Sequence, residues 1–281
     1  MLDQITPLIL TYNEAPNIGR ALEHLRWARD IVVVDSFSND GTVELVNRFP
    51  NSRVVQRIFD THAAQWNFGL SQTGISTDWV LALDADYCLT AEMTAELSTL
   101  RPSANAAGYK SHFIFCINGR QVRSALYPPV VVLYQRAFAK YIQDGHTQRL
   151  QLDGPVDELR VRLLHDDRKP LSRWFQSQQR YMALEALKLR TSDKSSLSTS
   201  DRVRRLRVVA PVAVLLYCLI FRLGVLDGWA GFYYAFQRMV AELMLSLNLL
   251  EGDPWVRSNS EPHGIDCDTG AAELTDVKES R

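Results

Sequence analysis

Asp84 and Asp86 are two carboxylates set two residues apart at the end of the apolar run Trp79-Val80-Leu81-Ala82-Leu83. The run has strand character, and in a strand residues i and i+2 share a face. A strand ending after Leu83 would project both carboxylates into the crevice where open α/β sheets hold their ligands. Crowded there, they repel each other unless a cation lies between or beside them. A hard divalent ion with oxygen ligands suits such a pair, and it could in turn hold a diphosphate. Taken alone, the Asp-x-Asp pattern describes a solvated, helix-capping turn more often than a metal site. The segments upstream decide between the two.

Those segments alternate. Residues 5–10 read as a buried strand, Thr11-Tyr12-Asn13-Glu14 follows, and Pro16 opens a helix whose apolar face carries Ile18, Leu22 and Leu25. Ile31-Val32-Val33-Val34 is a continuous β-branched run, as a parallel strand covered on both faces requires. It ends at Asp35, a turn runs from Ser36 to Gly41, and Thr42 starts a second helix. Residues 53–56 predict a short strand, 61–71 a helix and 79–83 a fourth strand, after which Thr90 caps a helix to about Leu100. Such alternation with brief connections predicts an α/β fold built on a mostly parallel sheet. The first turn holds Thr-Tyr-Asn-Glu where a dinucleotide fold has G-x-G-x-x-G, so polar side chains and a metal would have to hold any diphosphate. After residue 100 the alternation stops. Strands are expected at 107–118 and 130–134, with a turn at Gly119-Arg120 and an irregular join at Pro128-Pro129.

With 281 residues, the chain has room for one large domain and an appendage, and its net charge of −1 gives no general pull toward nucleic acid. Cys88, Cys116, Cys218 and Cys267 are scattered, which fits a reducing compartment and suggests neither a disulfide frame nor a zinc site. The first residues lack a basic segment followed by an apolar one, so no secretory signal is expected. Residues 191–205 read as a polar and then basic linker, with Arg202, Arg204, Arg205 and Arg207 leading into the apolar run 208–221. That run is shorter than the 18 or so residues a span needs. A second apolar segment, 229–250, carries Arg238, Glu242 and Ser246 at four-residue spacing. Together, within 206–250, they predict a helical hairpin lying in or on a bilayer interface, with the arginines favouring the anionic cytoplasmic leaflet. A buried two-helix appendage or a dimer interface is the alternative. Residues 251–281 read as a loose polar tail.

Three motifs now stand in order: Leu10-Thr11-Tyr12-Asn13-Glu14, then Val33-Val34-Asp35-Ser36-Phe37-Ser38-Asn39-Asp40-Gly41-Thr42, then Ala82-Leu83-Asp84-Ala85-Asp86. Over roughly residues 1–100 this resembles family 2 glycosyltransferases with the GT-A fold, most of all their lipopolysaccharide-core glucosyltransferase-like branch. The resemblance implies a GT-A domain over 1–190, with a nucleotide-sugar half (1–100) and an acceptor half (101–190). It implies that Thr11, Asn13 and Glu14 line the nucleoside pocket and that Ser36 and Asp40 shape the turn after Asp35. Asp35 would accept hydrogen bonds from base or ribose, a position that an acid at the end of a second strand also fills in dinucleotide folds. Gln65 and Asn67 would lie near the nucleotide, or else be solvated helix amides. Asp84 would contact ribose or metal, and Asp86 would ligate the Mg²⁺ or Mn²⁺ that bridges the phosphates. His146, in Gln143-Asp144-Gly145-His146-Thr147-Gln148, would complete the metal shell, bind phosphate or be structural.

Inverting transfer also needs a general base. The Glu-Asp or His-Glu pair of many relatives is missing, which leaves Asp144, Asp166 and Asp167. The last two precede a helix whose positive end is another reason for acids there. Arg168 and Lys169 would hold a phosphate or balance the aspartates. The expected activity is transfer of a hexose from a nucleotide-diphosphate sugar, UDP-linked, to a lipid-anchored glycan precursor of the cell envelope, at the cytoplasmic face of the membrane. Transfer to a polyprenyl phosphate, which needs no strong base, and a non-catalytic nucleotide-sugar-binding scaffold are the rivals.

Overall fold

The computed structural model describes residues 1–103, 105–144, 147–192 and 199–251. The first hundred residues alternate as expected: β1 (Ile5–Thr11), α1 (Ala15–Glu23), β2 (Ile31–Asp35), α2 (Thr42–Val46), β3 (Ser52–Gln56), α3 (His62–Gln72), β4 (Trp79–Asp84), β5 (Tyr87–Cys88) and α4 (Ala91–Thr99). Pro16 lies in the first turn of α1, where its missing N–H costs nothing. Thr61 and Thr90 cap α3 and α4, their hydroxyls accepting from the amides of Ala64 and Met93. Gly41, at φ +93°, turns the chain into α2 in a left-handed conformation that L side chains resist.

Beyond α4 come β6 (Gly108–Ser111), β7 (Phe113–Ile117), β8 (Arg120–Val122), β9 (Val130–Gln135), β10 (Ala139–Asp144), β11 (Thr147–Leu152), β12 (Val156–Glu158) and β13 (Leu163–His165). The helices α5 (Leu171–Thr191), α6 (Thr199–Arg204), α7 (Val209–Leu216) and α8 (Trp229–Glu251) follow. The main sheet has the order β12-β6-β9-β4-β1-β2-β3. β4, β1, β2 and β3 are mutually parallel, β9 is antiparallel to both β4 and β6, and β12 is parallel to β6. Chain order reverses at β1, with β2 on one side and β4 on the other. This is the switch point at whose carboxyl edge α/β sheets open a crevice.

Side-chain alternation along β2 makes a three-layer core. Ile31 and Val33 pack with Ile18, Leu22 and Met93 on one face, while Val32 and Val34 pack with Trp66 and Leu70 of α3 on the other. Gly69 lets α3 lie close to the sheet, because a Cβ there would sit 2.9 Å from Leu8 Cδ2.

Three expectations change. The strand at 107–118 is two strands, since the chain breaks at His112 and β7 leaves the main sheet for a second one ordered β5-β13-β7-β8. Helix α6 occupies part of the segment read as linker, and its Arg204 reaches Glu185 of α5 and Glu242 of α8 at 3.3 and 2.9 Å. The first arm of the hairpin is a short α-helix continued by a π turn, Tyr217–Phe221. Residues 193–198 and 252–281, the heart of the linker and the tail, lie outside the described residues.

Candidate active site

The site grows from two loops at the switch point. β1 and β4 run in register, Leu10 opposite Asp84, so the Thr11–Glu14 loop and the Asp84–Asp86 turn leave the sheet side by side. β2 lies on the other side of β1, with Thr11 opposite Asp35. The loops after β1 and β2 are laced together. Asp35 is fully buried and accepts from Thr11 Oγ1 at 2.9 Å, Ser38 N at 2.8 Å, Ser38 Oγ at 2.5 Å and Gln56 Nε2 at 3.4 Å. Asn13, at φ +55°, donates its N–H to Ser38 Oγ and accepts from the Asn39 amide. Asp40 accepts from the amides of Ala15 and Thr42, tying the starts of α1 and α2 together. Phe37, also left-handed at φ +59°, points outward and is 53% exposed on this rim.

Gln65 donates to Ser36 Oγ at 3.0 Å and accepts from Arg57 at 2.6 Å, which puts it behind the Asp35 turn. Asn67 faces elsewhere. Its amide exchanges two hydrogen bonds with the backbone of Tyr141, clamping α3 to β10.

The second sheet carries the loop from β13 to α5 to the same crevice. The Asp166 amide donates to the Asp86 carbonyl at 3.1 Å, and His165 Nε2 stands 3.4 Å from Asp86 Oδ2. An aromatic box holds the imidazole, with ring centroids of Tyr127, Phe115 and Tyr87 at 4.6, 4.7 and 5.2 Å. The Asp166 carboxylate is engaged on both oxygens: Gly119 N on Oδ1 at 3.0 Å, Arg20 and Arg168 on Oδ2 at 3.0 and 2.9 Å. Asp167 takes Asn17 at 2.8 Å and Lys169 at 3.2 Å on Oδ1 alone, with its side chain 33% exposed. Lys169 Nζ reaches Glu14 Oε1 at 2.6 Å. Asn17, fully buried, joins the loops: its amide donates to Glu14 and Asp167 and accepts from Arg20 and the Arg168 N–H. Arg168 thus braces Asp166 and α1.

Asp84, Asp86, Glu14, Asp167, His165 and Lys169 therefore face one crevice with more negative than positive charge. Asp84, the last residue of β4, is exposed to solvent although much protein surrounds its carboxyl. That crowding and the neighbouring Asp86 push its carboxyl up to about 6. Burial, with Asp86 adding to it, pushes Glu14 up to about 7 although Lys169 pulls the other way. For His165 and Lys169 burial opposes the charge, but Asp86 and Glu14 respectively outweigh it and raise both. Burial also opposes the charge of Asp86, and His165 overcomes it, holding that carboxyl below its ordinary value. Asp84, Glu14, His165 and Lys169 are thus all shifted toward holding their protons.

A divalent cation fits these residues. Asp86 Oδ1 is buried with no hydrogen-bond partner among the described residues, a costly state that an ion would relieve. No three His, Cys, Asp or Glu side chains among the described residues form a ready cage. An ion here would complete its shell from a diphosphate and water, as Mg²⁺ commonly does. His146 lies outside the described residues, and of Asp144 the backbone alone is described, as the last residue of β10.

Glu14 gives a measurable pH dependence. Its folded value lies above the ordinary 4.5, so below about pH 4.5 its contribution to stability is fully present, and this is lost as pH rises through about 7. The shift corresponds to about 3 kcal/mol. Urea unfolding without divalent ions should show wild type losing about that much relative to Glu14→Gln between pH 4.5 and 8. Parallel pH profiles would show that Glu14 is not held protonated.

Asn17, Arg20 and His165 were not assigned roles from sequence, whereas Lys169, expected to hold a phosphate or balance the aspartates, pairs with Glu14 and Asp167. The one local signal is the run His165-Asp166-Asp167-Arg168-Lys169 ahead of a proline-led helix, five charged or titratable residues with no amphipathic spacing.

Comparison with known proteins follows the same lines. Residues 8–100 match the family model described as Glycosyl transferase family 2. An uncharacterized glycosyltransferase of Rickettsia bellii is 29% identical over 144 residues, 49% of this chain and 48% of its own length. The lipopolysaccharide core biosynthesis glycosyltransferase LpsC of Rhizobium meliloti is 33% identical over 86 residues, 29% of this chain and 31% of its own. The chain spans about half the length of the first curated relatives it matches. Among solved structures, S. aureus TarS 1–349 in complex with UDP-GlcNAc aligns at a TM-score of 0.46 and 13% identity, covering 91% of this chain and 92% of that one. Glucosyl-3-phosphoglycerate synthase from Mycobacterium tuberculosis, with Mn²⁺, UDP and glucosyl-3-phosphoglycerate, aligns at 0.45 and 15%, covering 68% and 82%.

Proposed function

We propose, from the premise that residues 8–100 carry a glycosyl transferase family 2 domain, that the protein transfers a hexose from a UDP-linked donor to a hydroxyl of a lipid-anchored glycan. One observation carries this reading: two carboxylates at the switch-point edge of β4 stand in an acidic crevice with an unpartnered buried oxygen on Asp86. The name of the Rhizobium relative supports a glycolipid acceptor.

Each residue has a part. The laced loops after β1 and β2 form the nucleoside pocket, with Asp35 fixing the turn and Phe37 offering an exposed ring on which a base can stack. Asp86, with Asp84, would hold Mg²⁺ or Mn²⁺, which as a Lewis acid neutralises charge developing on the departing diphosphate. His165 orients Asp86 through Nε2, and its aromatic box keeps water from that side. Lys169 places a fixed positive charge beside the diphosphate position. Asp167 is the general base, because among the described residues the bonds it accepts fall on Oδ1 whereas both oxygens of Asp166 are occupied. The attacking hydroxyl gives its proton to that oxygen as the new glycosidic bond forms and the bond to UDP breaks.

The test is UDP binding by calorimetry with Mn²⁺ present. Asp35→Ala removes four hydrogen bonds from the pocket turn and should weaken UDP at least about 10-fold, since each net bond is worth about 1 kcal/mol. Turnover at saturating donor should fall less. An unchanged dissociation constant would remove the nucleoside from this pocket.

A further inference from the structure

The hairpin end of the molecule is built unlike the rest of its surface. Among the described residues, seventeen of the twenty-eight exposed large hydrophobic side chains lie between Val203 and Leu247. They are densest where α7 passes through the π turn and a 3₁₀ turn (Gly224–Asp227) into α8. Here Ile220, Phe221, Leu223, Val225, Leu226 and Trp229 are 48–77% exposed.

This tip is fixed in place. The Arg123 amide donates to Asp227 Oδ2 at 2.7 Å, and the Leu126 amide donates to Tyr234 Oη at 2.8 Å. Arg222 donates to the carbonyls of Arg123 and Ala125 at 3.3 and 3.2 Å. Cys218, Ala230 and Tyr234 are buried against Ile117 and Val122. The side chains packed inward hold the others outward.

Around the tip stands a basic collar that no sequence pattern announced. Arg120 and Arg123 come from the β8 strand and its end, and Arg222 from the turn; all three are exposed. The Arg120 guanidinium lies 5.9 Å from the Trp229 ring centroid. Of the six arginines between residues 202 and 238, Arg204 and Arg238 pair with Glu242. The one acid in that stretch, Asp227, pairs with Arg123 of the collar at 3.3 Å, its own side chain 3% exposed. This leaves Arg120 and Arg222 as the collar's exposed charges without an acidic partner among the described residues. Apolar residues at the apex, a tryptophan at their edge and arginines behind them complement the layers of a bilayer interface: acyl chains, the headgroup boundary and anionic phosphates. The depth is shallow. No helix among the described residues is long and apolar enough to cross a membrane. The eight residues of α7 and five of the π turn cover only about 20 Å.

We propose that this tip is a membrane-docking surface, inserting into the interface of a bilayer that carries anionic lipids, with Arg120 and Arg222 on the headgroups. The proposal goes beyond the transfer reaction and does not depend on which acceptor it uses. Flotation of the full chain with vesicles tests it. Partition onto phosphatidylglycerol–phosphatidylcholine vesicles should exceed that onto pure phosphatidylcholine at least about 10-fold and should fall when salt screens the collar. The double variant Phe221→Asp, Leu226→Asp should lose at least about 10-fold of that partition while its thermal melt and UDP affinity stay unchanged. Arg120→Glu should lose the preference for anionic vesicles. Equal partition onto both vesicles, binding to neither, or a wild-type dimer that the double variant dissolves would overturn the proposal, the last by assigning the tip to a second copy of the chain.

Discussion

Asp86→Asn should fold as the wild type does and lose about 10³-fold in kcat/KM, with the loss concentrated in kcat. The amide keeps the shape of the side chain but brings one neutral oxygen where the carboxylate offers two charged ones. Removing a single preorganised electrostatic group from an acyl- or phosphate-handling site costs about 10²–10³-fold; here the variant would remove both an ion ligand and the partner of His165. A second readout separates chemistry from folding. Mn²⁺ should raise the unfolding midpoint of the wild type, because a ligand bound to the folded state alone stabilises it, and should leave that of Asp86→Asn almost unmoved. Wild-type rates in the variant, or equal stabilisation of both proteins by Mn²⁺, would take Asp86 out of the cation site.

Asp166→Ala should destabilise the protein clearly, by about 1–3 kcal/mol in urea unfolding. Asp166 is 4% exposed, and its carboxylate receives Arg20, Arg168 and the Gly119 amide. Truncation leaves the Gly119 amide without its acceptor and the Arg20 and Arg168 guanidiniums without their anion. The two arginine side chains are 26% and 43% exposed, so water screens them and the cost stays below that of a fully buried pair. The same substitution distinguishes the two aspartates that sequence offered together as bases. If Asp166 is a brace, the variant keeps measurable turnover at temperatures where it is folded, and Asp167→Ala shows the deeper loss of kcat with a near-normal melt. An Asp166→Ala protein of wild-type stability whose kcat falls about 10³-fold would reverse the assignment.

Much of the fold of residues 1–100 was legible because its signals are local. The β-branched run at Ile31-Val32-Val33-Val34 can lie only in a strand covered on both faces, and Val32 and Val33 do divide between the two core layers. Pro16 and Thr90 marked helix starts that side-chain geometry reproduces. The apolar run placed Asp84 at the end of β4, while Asp86 lies past the strand, in the turn before β5, where strand period does not set its direction.

What sequence could not show was which distant loop comes back. Asn17 sits in the first turn of a helix, an unremarkable place for a polar residue. Yet it is fully buried because its partners Asp167 and Arg168 arrive from 150 residues away. His165 drew no role because its meaning lies in Asp86, which reaches it only through pairing of β5 with β13. Asn67 resembled a ligand-binding amide, and the backbone of β10 uses both of its polar atoms. The break at His112, which sends β7 to another sheet, has no glycine or proline to announce it.

The proposed transfer requires a divalent cation at the edge of β4. Crystals grown with MnCl₂ and UDP, measured at the manganese absorption edge, locate that ion directly. The prediction is a single strong anomalous peak within ligand distance of Asp86 Oδ1 and of a UDP phosphate oxygen. A nucleotide bound in the crevice with no peak there, or a peak away from Asp84 and Asp86, would contradict it.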